Sequence, residues 1–250
     1  YNGEYLRFYY ASFLSKKMSD IDLNFDDFRK KINNELAANI GNLCHRVLSF
    51  INKNFDGKIN DFKEIDNSGY EILGGKNELI NEINKKIELI EKNYKELNFS
   101  EAVKDILHIS SLGNKYFQDN EPWKLVKSNK ELAHKVLGLC ASIVKNLSIL
   151  IRPILPDFSS SLQEQLNLKG LKWEDINFEL KNHKIRKEKI LVARMEEKSK
   201  PEFPLNLKVA KILEVKDHPN ADKLFVLQID IGAEKRQLVA GLKGHYESEE

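Results

Sequence analysis

The sequence predicts a mainly α chain, an antiparallel helical bundle followed by a truncated β module, and three observations carry that prediction. Apolar residues recur every three or four positions through most of the first 166 residues, the period changes to two beyond Pro201 and Pro204, and a basic stretch separates the two regimes. With 250 residues and 41% hydrophobic content, the chain has the material for one large or two ordinary globular domains. The boundaries that follow are a bundle over 1–167, a basic linker over 168–203 and a β module over 204–250.

Each element has its own signal. A first helix is expected over 4–18. Residues 26–55 form one long amphipathic helix, because Phe28, Ile32, Leu36, Ile40, Leu43, Val47, Ile51 and Phe55 fall on one side, Asn24 is placed to cap it and Gly57 to stop it. Residues 77–98 repeat the pattern through Ile80, Ile83, Ile87, Ile90, Tyr94 and Leu97, and Ser100 is read as the cap of a helix to about Phe117. "DNEPWKLVK", 119–127, reads as a proline-set bend at a helix junction. Ser128 with Glu131 three residues on reads as a capping box. The helix that it opens carries Leu132, Val136, Leu139, Ile143, Leu147 and Ile151, a face apolar enough to be central. Pro153 and Pro156 end it, and a short helix over 161–166 follows. Beyond the prolines, "LKVAKILEV", "KLFVLQIDIG" and "KRQLVAGL" read as strands, the second placing Phe225, Leu227, Ile229 and Ile231 on one face, with "DHPNAD" as a turn. Three strands are fewer than a closed five-stranded barrel requires, so the β module is expected to be incomplete.

Composition limits the chemistry. No apolar run approaches the ~20 residues that cross a bilayer, and "YNGEYLRFYY" lacks the regions of a signal peptide, so a cytoplasmic protein without a membrane partner is expected. Cys44 and Cys140 are too few for a disulfide framework or a four-thiolate zinc site, the six histidines show no ligand spacing, and no metal is expected. Net charge is only +2, so any nucleic-acid contact rests on local patches. One such patch is 181–200, where eight Lys or Arg face three Glu; charge runs are ordinarily solvated, and a linker is the reading taken. No Gly-rich loop follows a strand to cradle phosphates, so the chain is expected to hold no catalytic residues and no cofactor of its own.

The stretches "GEYLRFYYASFLS", "DIDLNFDDF", "NLCHRVLSFINKNFDG", "NKYFQDNEPWK" and "RPILPDFSSSLQEQL" resemble, in order, the C-terminal half of the methionyl-tRNA synthetases, from just after the catalytic domain. The bundle would then be a class I synthetase anticodon-binding domain. "HPNADKL", "VLQIDIG" and "RQLVAGL" resemble the tRNA-binding OB-fold module attached to those enzymes. Leucyl, isoleucyl, valyl and cysteinyl enzymes carry related helical domains, and tyrosyl and phenylalanyl enzymes carry related OB modules; the combination points to methionine. The resemblance implies a parent that uses ATP, with Mg, to attach methionine to its elongator and initiator tRNAs. It also implies that this part is inactive alone, and that a complete OB module can pair two copies. The alternatives are a non-catalytic tRNA-binding cofactor protein and the same domain of another class I synthetase. "KKMSD", 16–20, is similar in letters to the KMSKS signature of class I enzymes, yet it is expected to continue the first helix and is not assigned to ATP.

Site residues follow from the same resemblance. Asn42 and Arg46, spaced i and i+4, stack on one side of their helix, and an amide and a guanidinium suit the reading of base edges. The matching Asn and Arg of the family contact anticodon bases, and His45 lies on the same face. Trp123 matches a Trp that stacks on an anticodon base, with Pro122 shaping its turn; Asn114 and Trp173 are read as structural. In the β module His218, Asn220, Asp222, Arg236 and Lys243 fall in the stretches that match, and their implied role is sequence-independent contact with the tRNA body. "ILVARMEE" stands where many relatives have a Leu-Phe-Pro-Arg-Ile-like stretch.

Overall fold

A computed structural model describes residues 2–17, 20–60, 76–196, 208–243 and 245–246. The chain divides into two compact units, Tyr1–Met195 and Glu196–Glu250.

In the first unit α1 (Gly3–Ala11) precedes a long helix made of α2 (Phe25–Lys31), a π-helical stretch (Ile32–Gly41) and α3 (Asn42–Phe55). Asn24 caps it as expected, its side chain accepting from the N–H groups of Asp26 and Asp27 at 2.9 and 3.1 Å. Phe28, Ile32, Leu36 and Ile40 are spaced by strict fours, which outruns the 3.6-residue α turn. The wider π turn takes up that drift, and all four side chains are buried. Asp56 (φ 53°) and Gly57 (φ 73°) then leave the helix in the left-handed region.

The bundle is completed by α4 (Lys76–Lys95), α5 (Phe99–Asp119), α6 (Pro122–Ser128), α7 (Lys130–Leu150) and α8 (Pro156–Gln165). Lys86 with Asp105 and His108 with Glu82 pair α4 and α5 antiparallel. Every residue from Val136 to Leu150 is buried, so α7 is the central helix that its apolar face predicted. Among the described residues α7 is the one helix long and apolar enough to pass for a membrane span, but 89% of that window lies inside the protein. The buried Lys145 of α7 is satisfied internally, donating to Asp175 O at 2.9 Å and to Asn177 Oδ1 at 2.7 Å.

Several boundaries differ from expectation. α1 ends at Ala11 rather than 18, and Lys16 of the "KKMSD" stretch ion-pairs with Glu96 at 2.8 Å, while Met18 and Ser19 lie outside the described residues. α5 begins at Phe99, with Ser100 inside it. The cap of α7 is Asn129, whose side chain accepts from Leu132 N–H at 3.0 Å; Ser128 instead closes α6, donating to Lys124 O at 3.4 Å. α8 starts at Pro156, five residues early, because proline needs no N–H partner there and Glu4 caps the helix from α1, accepting from Asp157 and Phe158 N–H at 2.6 and 2.9 Å.

The expected basic linker over 168–203 is corrected through Met195, which belongs to the first unit; 197–203 lie outside the described residues. After a 3-10 turn (Trp173–Asp175), where Trp173 meets Tyr94 edge-on at 6.4 Å, the chain becomes a strap. Its short strand β2 (His183–Lys184) pairs antiparallel with β1 (Lys58–Ile59), and Phe178, Leu180, Ile185 and Val192 are buried. Burying each such side chain is worth about 1.5–3 kcal/mol, enough to outweigh the tendency of a charged segment to stay solvated.

The second unit holds β3 (Lys211–Asp217), β4 (Phe225–Asp230) and β5 (Lys235–Ala240) as an antiparallel meander, with a bulge in β3 between Ile212 and Glu214. Phe225, Leu227 and Ile229 are buried on one face of β4, as the period-two pattern predicts.

Candidate nucleic-acid interface

Two helices that run parallel, α3 and α5, meet along a seam made close by a missing side chain. A Cβ on Gly113 would lie 2.8 Å from Leu43 Cδ2 and 3.3 Å from Ile143 Cγ2, so glycine lets α5 approach both α3 and α7. At that separation short polar side chains bridge the seam. Asn39 Nδ2 donates to Leu107 O at 3.1 Å and to Ser111 Oγ at 3.0 Å, Asn42 Nδ2 to Asn114 Oδ1 at 3.5 Å, and Arg46 Nη2 to Gln118 Oε1 at 3.2 Å. The three side-chain rungs, Asn39–Ser111, Asn42–Asn114 and Arg46–Gln118, each join residues 72 apart, so the two helices stay in register along the surface. Asn114 also donates to Asn39 O and Asn39 Oδ1, both at 3.2 Å, and so has the structural part that the sequence assigned to it.

Trp123 enters the seam through an aromatic neighbour. The Arg46 guanidinium lies 4.6 Å over the Phe117 ring, and that ring is 6.1 Å from the Trp123 indole at an interplanar angle of 41°. Glu121 turns the chain in the left-handed region (φ 41°), and Pro122 starts α6, so Trp123 is the second residue of a short helix rather than part of a bare bend. Its indole is half-buried against the core, beside the Phe117 ring that Arg46 covers. Phe117 and Gln118 were not singled out from sequence. Their signal is the Asn114–Gln118 pair at i and i+4, the counterpart of Asn42–Arg46.

His45 sits elsewhere on α3. It is exposed and faces the strap, where the Glu188 carboxyl is held below its usual range by its own backbone N–H, the Asn52 side chain and the nearby charge of His45. The two cysteines take no part in the surface: both are buried, and burial pushes each thiol up to about 12. Among the described residues no group of three or more His, Cys, Asp or Glu is gathered to hold a metal ion.

The structure separates the β-module candidates into two places. His218, Asn220 and Asp222 form the β3–β4 turn, where Asn220 N–H donates to His218 Nδ1 at 3.2 Å. Lys243 joins them by pairing with Asp217 at 2.6 Å, beside the Phe225 ring. Arg236 stands opposite Ile229 near the far end of β4 and pairs with Glu234, away from that turn.

Comparison with known proteins gives three family matches in chain order. Residues 1–48 match the class I tRNA synthetases (M), residues 68–202 the anticodon binding domain of methionyl tRNA ligase, and residues 207–250 a putative tRNA binding domain. A methionine–tRNA ligase of Pyrococcus abyssi is 32% identical over 99% of this chain and 43% of its own length. One of Methanocaldococcus jannaschii is 32% identical over 100% of the chain and 40% of its own length, and a probable cytoplasmic one of Dictyostelium discoideum is 34% identical over 92% and 32%. The chain therefore spans less than half the length of these relatives. Among solved structures, apo Mycobacterium tuberculosis methionyl-tRNA synthetase superposes with a TM-score of 0.67 at 19% identity, over 78% of this chain and 39% of that one, which shows a shared fold. A match to the anticodon binding domain over more than half of its residues, flanked by the other two in order, places this chain in the methionyl-tRNA ligase family.

Proposed function

We propose that this chain is the tRNA-recognition part of a methionyl-tRNA synthetase, reading the anticodon along the α3–α5 seam. The observation that carries the reading is the run of contacts from Arg46 of α3, one turn from Asn42, through Gln118 and Phe117 of α5 to Trp123 of α6. An unstacked base needs a flat apolar platform and a hydrogen-bonding edge beside it, and the half-buried indole and the exposed amide supply both. Arg46 is positioned before RNA arrives, which lowers the ordering cost of the guanidinium fork. His45 flanks this surface on the strap side as a further contact.

The activity belongs to the whole parent: attachment of methionine to elongator and initiator tRNAs, with ATP and magnesium used in the part of the relatives' length that this chain does not span. The match of residues 1–48 to the class I synthetases supports an enzyme rather than a free-standing tRNA-binding cofactor. The second unit adds affinity for the tRNA body through His218, Asn220, Asp222 and Lys243, with Arg236 as a separate contact, and in complete form it pairs two copies. The parent works in the cytoplasm.

The test is a titration of the 250-residue chain with tRNA that carries the methionine anticodon and with the same tRNA after one anticodon base is changed. Arg46→Ala should narrow the affinity ratio between the two. A wild-type chain that binds both equally would overturn the anticodon reading.

A further inference from the structure

The positive charges of 181–194 are fixed in place by the strap, and this changes what they can do. The strap runs antiparallel to α3: Ile185 N–H donates to Gly57 O at 2.8 Å, Asn52 Nδ2 donates to Arg186 O at 3.0 Å and to Glu188 Oε2 at 2.6 Å, and Val192 packs at the Gly41 backbone. Near its end Asn33 exchanges two hydrogen bonds with the Met195 backbone, at 2.9 and 2.8 Å. Ile185 and Val192 point inward, while Lys184, Arg186, Lys187 and Lys189 remain exposed.

Across the surface the order is α5, α3, strap, α8. The exposed arc of α3 carries Asn42, His45 and Lys53; Gln118 of α5 borders it on one side and Asn52, with the strap behind it, on the other. On its far side the strap meets α8. There Lys189 N–H donates to Gln165 Oε1 at 2.8 Å, and a cleft of about 350 Å³ opens with Arg186, Lys187 and Lys189 on its lining. Acidic neighbours are present: Asp56 pairs with Lys184 at 3.5 Å, Glu164 with Arg186 at 3.3 Å, and Glu188 is held by Asn52. The cations still outnumber them along this border, and the backbone hydrogen bonds keep the segment that bears them in place.

We propose that Arg186, Lys187 and Lys189 form a rail that holds the phosphate backbone of the RNA whose bases lie along α3 and at Trp123. The proposal rests on the anticodon reading of the α3–α5 seam and adds a second site beside it. Base contacts on the seam specify, whereas lysines on the rail position the strand without reading it. An RNA seated with bases toward Trp123 extends its backbone across the α3 arc, and the strap is the next element that it meets.

The test uses the 250-residue chain with Lys187→Gln and Lys189→Gln together, titrated with an anticodon stem-loop that carries the methionine anticodon and with one altered at a single anticodon base. Affinity for both should fall by the same factor, about five- to eightfold per lysine at about 0.1 M salt. The slope of log affinity against log salt should become shallower by about 1.4–1.8, while the ratio between the two RNAs is unchanged. Lys187→Glu should weaken binding further. Wild-type affinity and slope in the double variant would overturn the rail. So would an equal loss after Lys85→Gln with Lys92→Gln, which removes the same charge from α4 and would assign the effect to net charge. A shallower slope in a chain that does not distinguish the two RNAs would keep the rail and remove the anticodon reading, so the two failures are separable.

Discussion

Removing the Arg46 side chain in the absence of RNA tests whether the seam is pre-assembled. Arg46→Ala deletes a part-exposed hydrogen bond to Gln118, worth about 0.5–1.5 kcal/mol, and a cation over the Phe117 ring, worth about 0.5–1 kcal/mol. The sum is a loss of about 1–2.5 kcal/mol. In a helical body of nearly 200 residues each kilocalorie lowers Tm by about 2–4 °C. Gln118→Ala removes only the hydrogen bond, so a double-mutant cycle isolates it: the coupling between the two substitutions should be about 0.5–1.5 kcal/mol. The assay is urea unfolding followed by far-UV circular dichroism, a signal to which the helices contribute most. Coupling below about 0.3 kcal/mol, the level of independent sites, would refute the claim that Gln118 holds Arg46 before RNA arrives.

Three further outcomes follow from the helix ends, the strap and a half-buried histidine. Asn129→Ala should cost about 0.5–2 kcal/mol by uncapping α7, whereas Ser128→Ala should stay within about 0.5 kcal/mol; the reverse order in urea unfolding would restore Ser128 as the cap. Gly57→Ala forces a φ of 73° on an L-residue and puts a Cβ 2.9 Å from Asn52 Oδ1 and 3.1 Å from Ile185 O, so it should cost about 1–2 kcal/mol or more and open the strap to proteolysis. Wild-type resistance would contradict the close approach. Burial holds the His134 pKa below its ordinary 6.5, so as pH falls the unfolded chain takes its proton first and folding loses stability through the window just below 6.5. Between about pH 7 and about pH 5, His134→Gln should lose less stability than wild type, and an equal loss would show that His134 is not the group responsible.

How much was legible in the sequence depended on whether a feature was set locally or by a distant partner. The long helices were legible because Phe28 to Ile51 and Leu132 to Leu147 repeat their apolar side over many turns, and period two marked Phe225, Leu227 and Ile229. Caps were less legible: Ser128 and Asn129 are adjacent and both suited to the task, and only the end of α6 assigns them. The strap was misread because its charges dominate its composition, while its anchors, Gly57 O, Asn52 and Asn33, lie more than a hundred residues away in sequence. At the candidate site, helical spacing put Asn42 and Arg46 together, and family resemblance supplied the reason to look at Trp123. The Asn114–Gln118 spacing marks a second polar pair, but that Gln118 and Phe117 meet Arg46 depends on the α3–α5 register, a tertiary fact made possible by Gly113.

If Trp123 is a stacking platform and not only a packing residue, the Trp123→Ala chain loses affinity for a methionine-anticodon stem-loop. A stacked base is worth about 1–3 kcal/mol, so binding should weaken by roughly tenfold or more with helical circular dichroism unchanged, and Trp123→Phe should recover much of the loss. Wild-type affinity in a folded Trp123→Ala chain would contradict the account and leave the indole as a pin between α5 and α6.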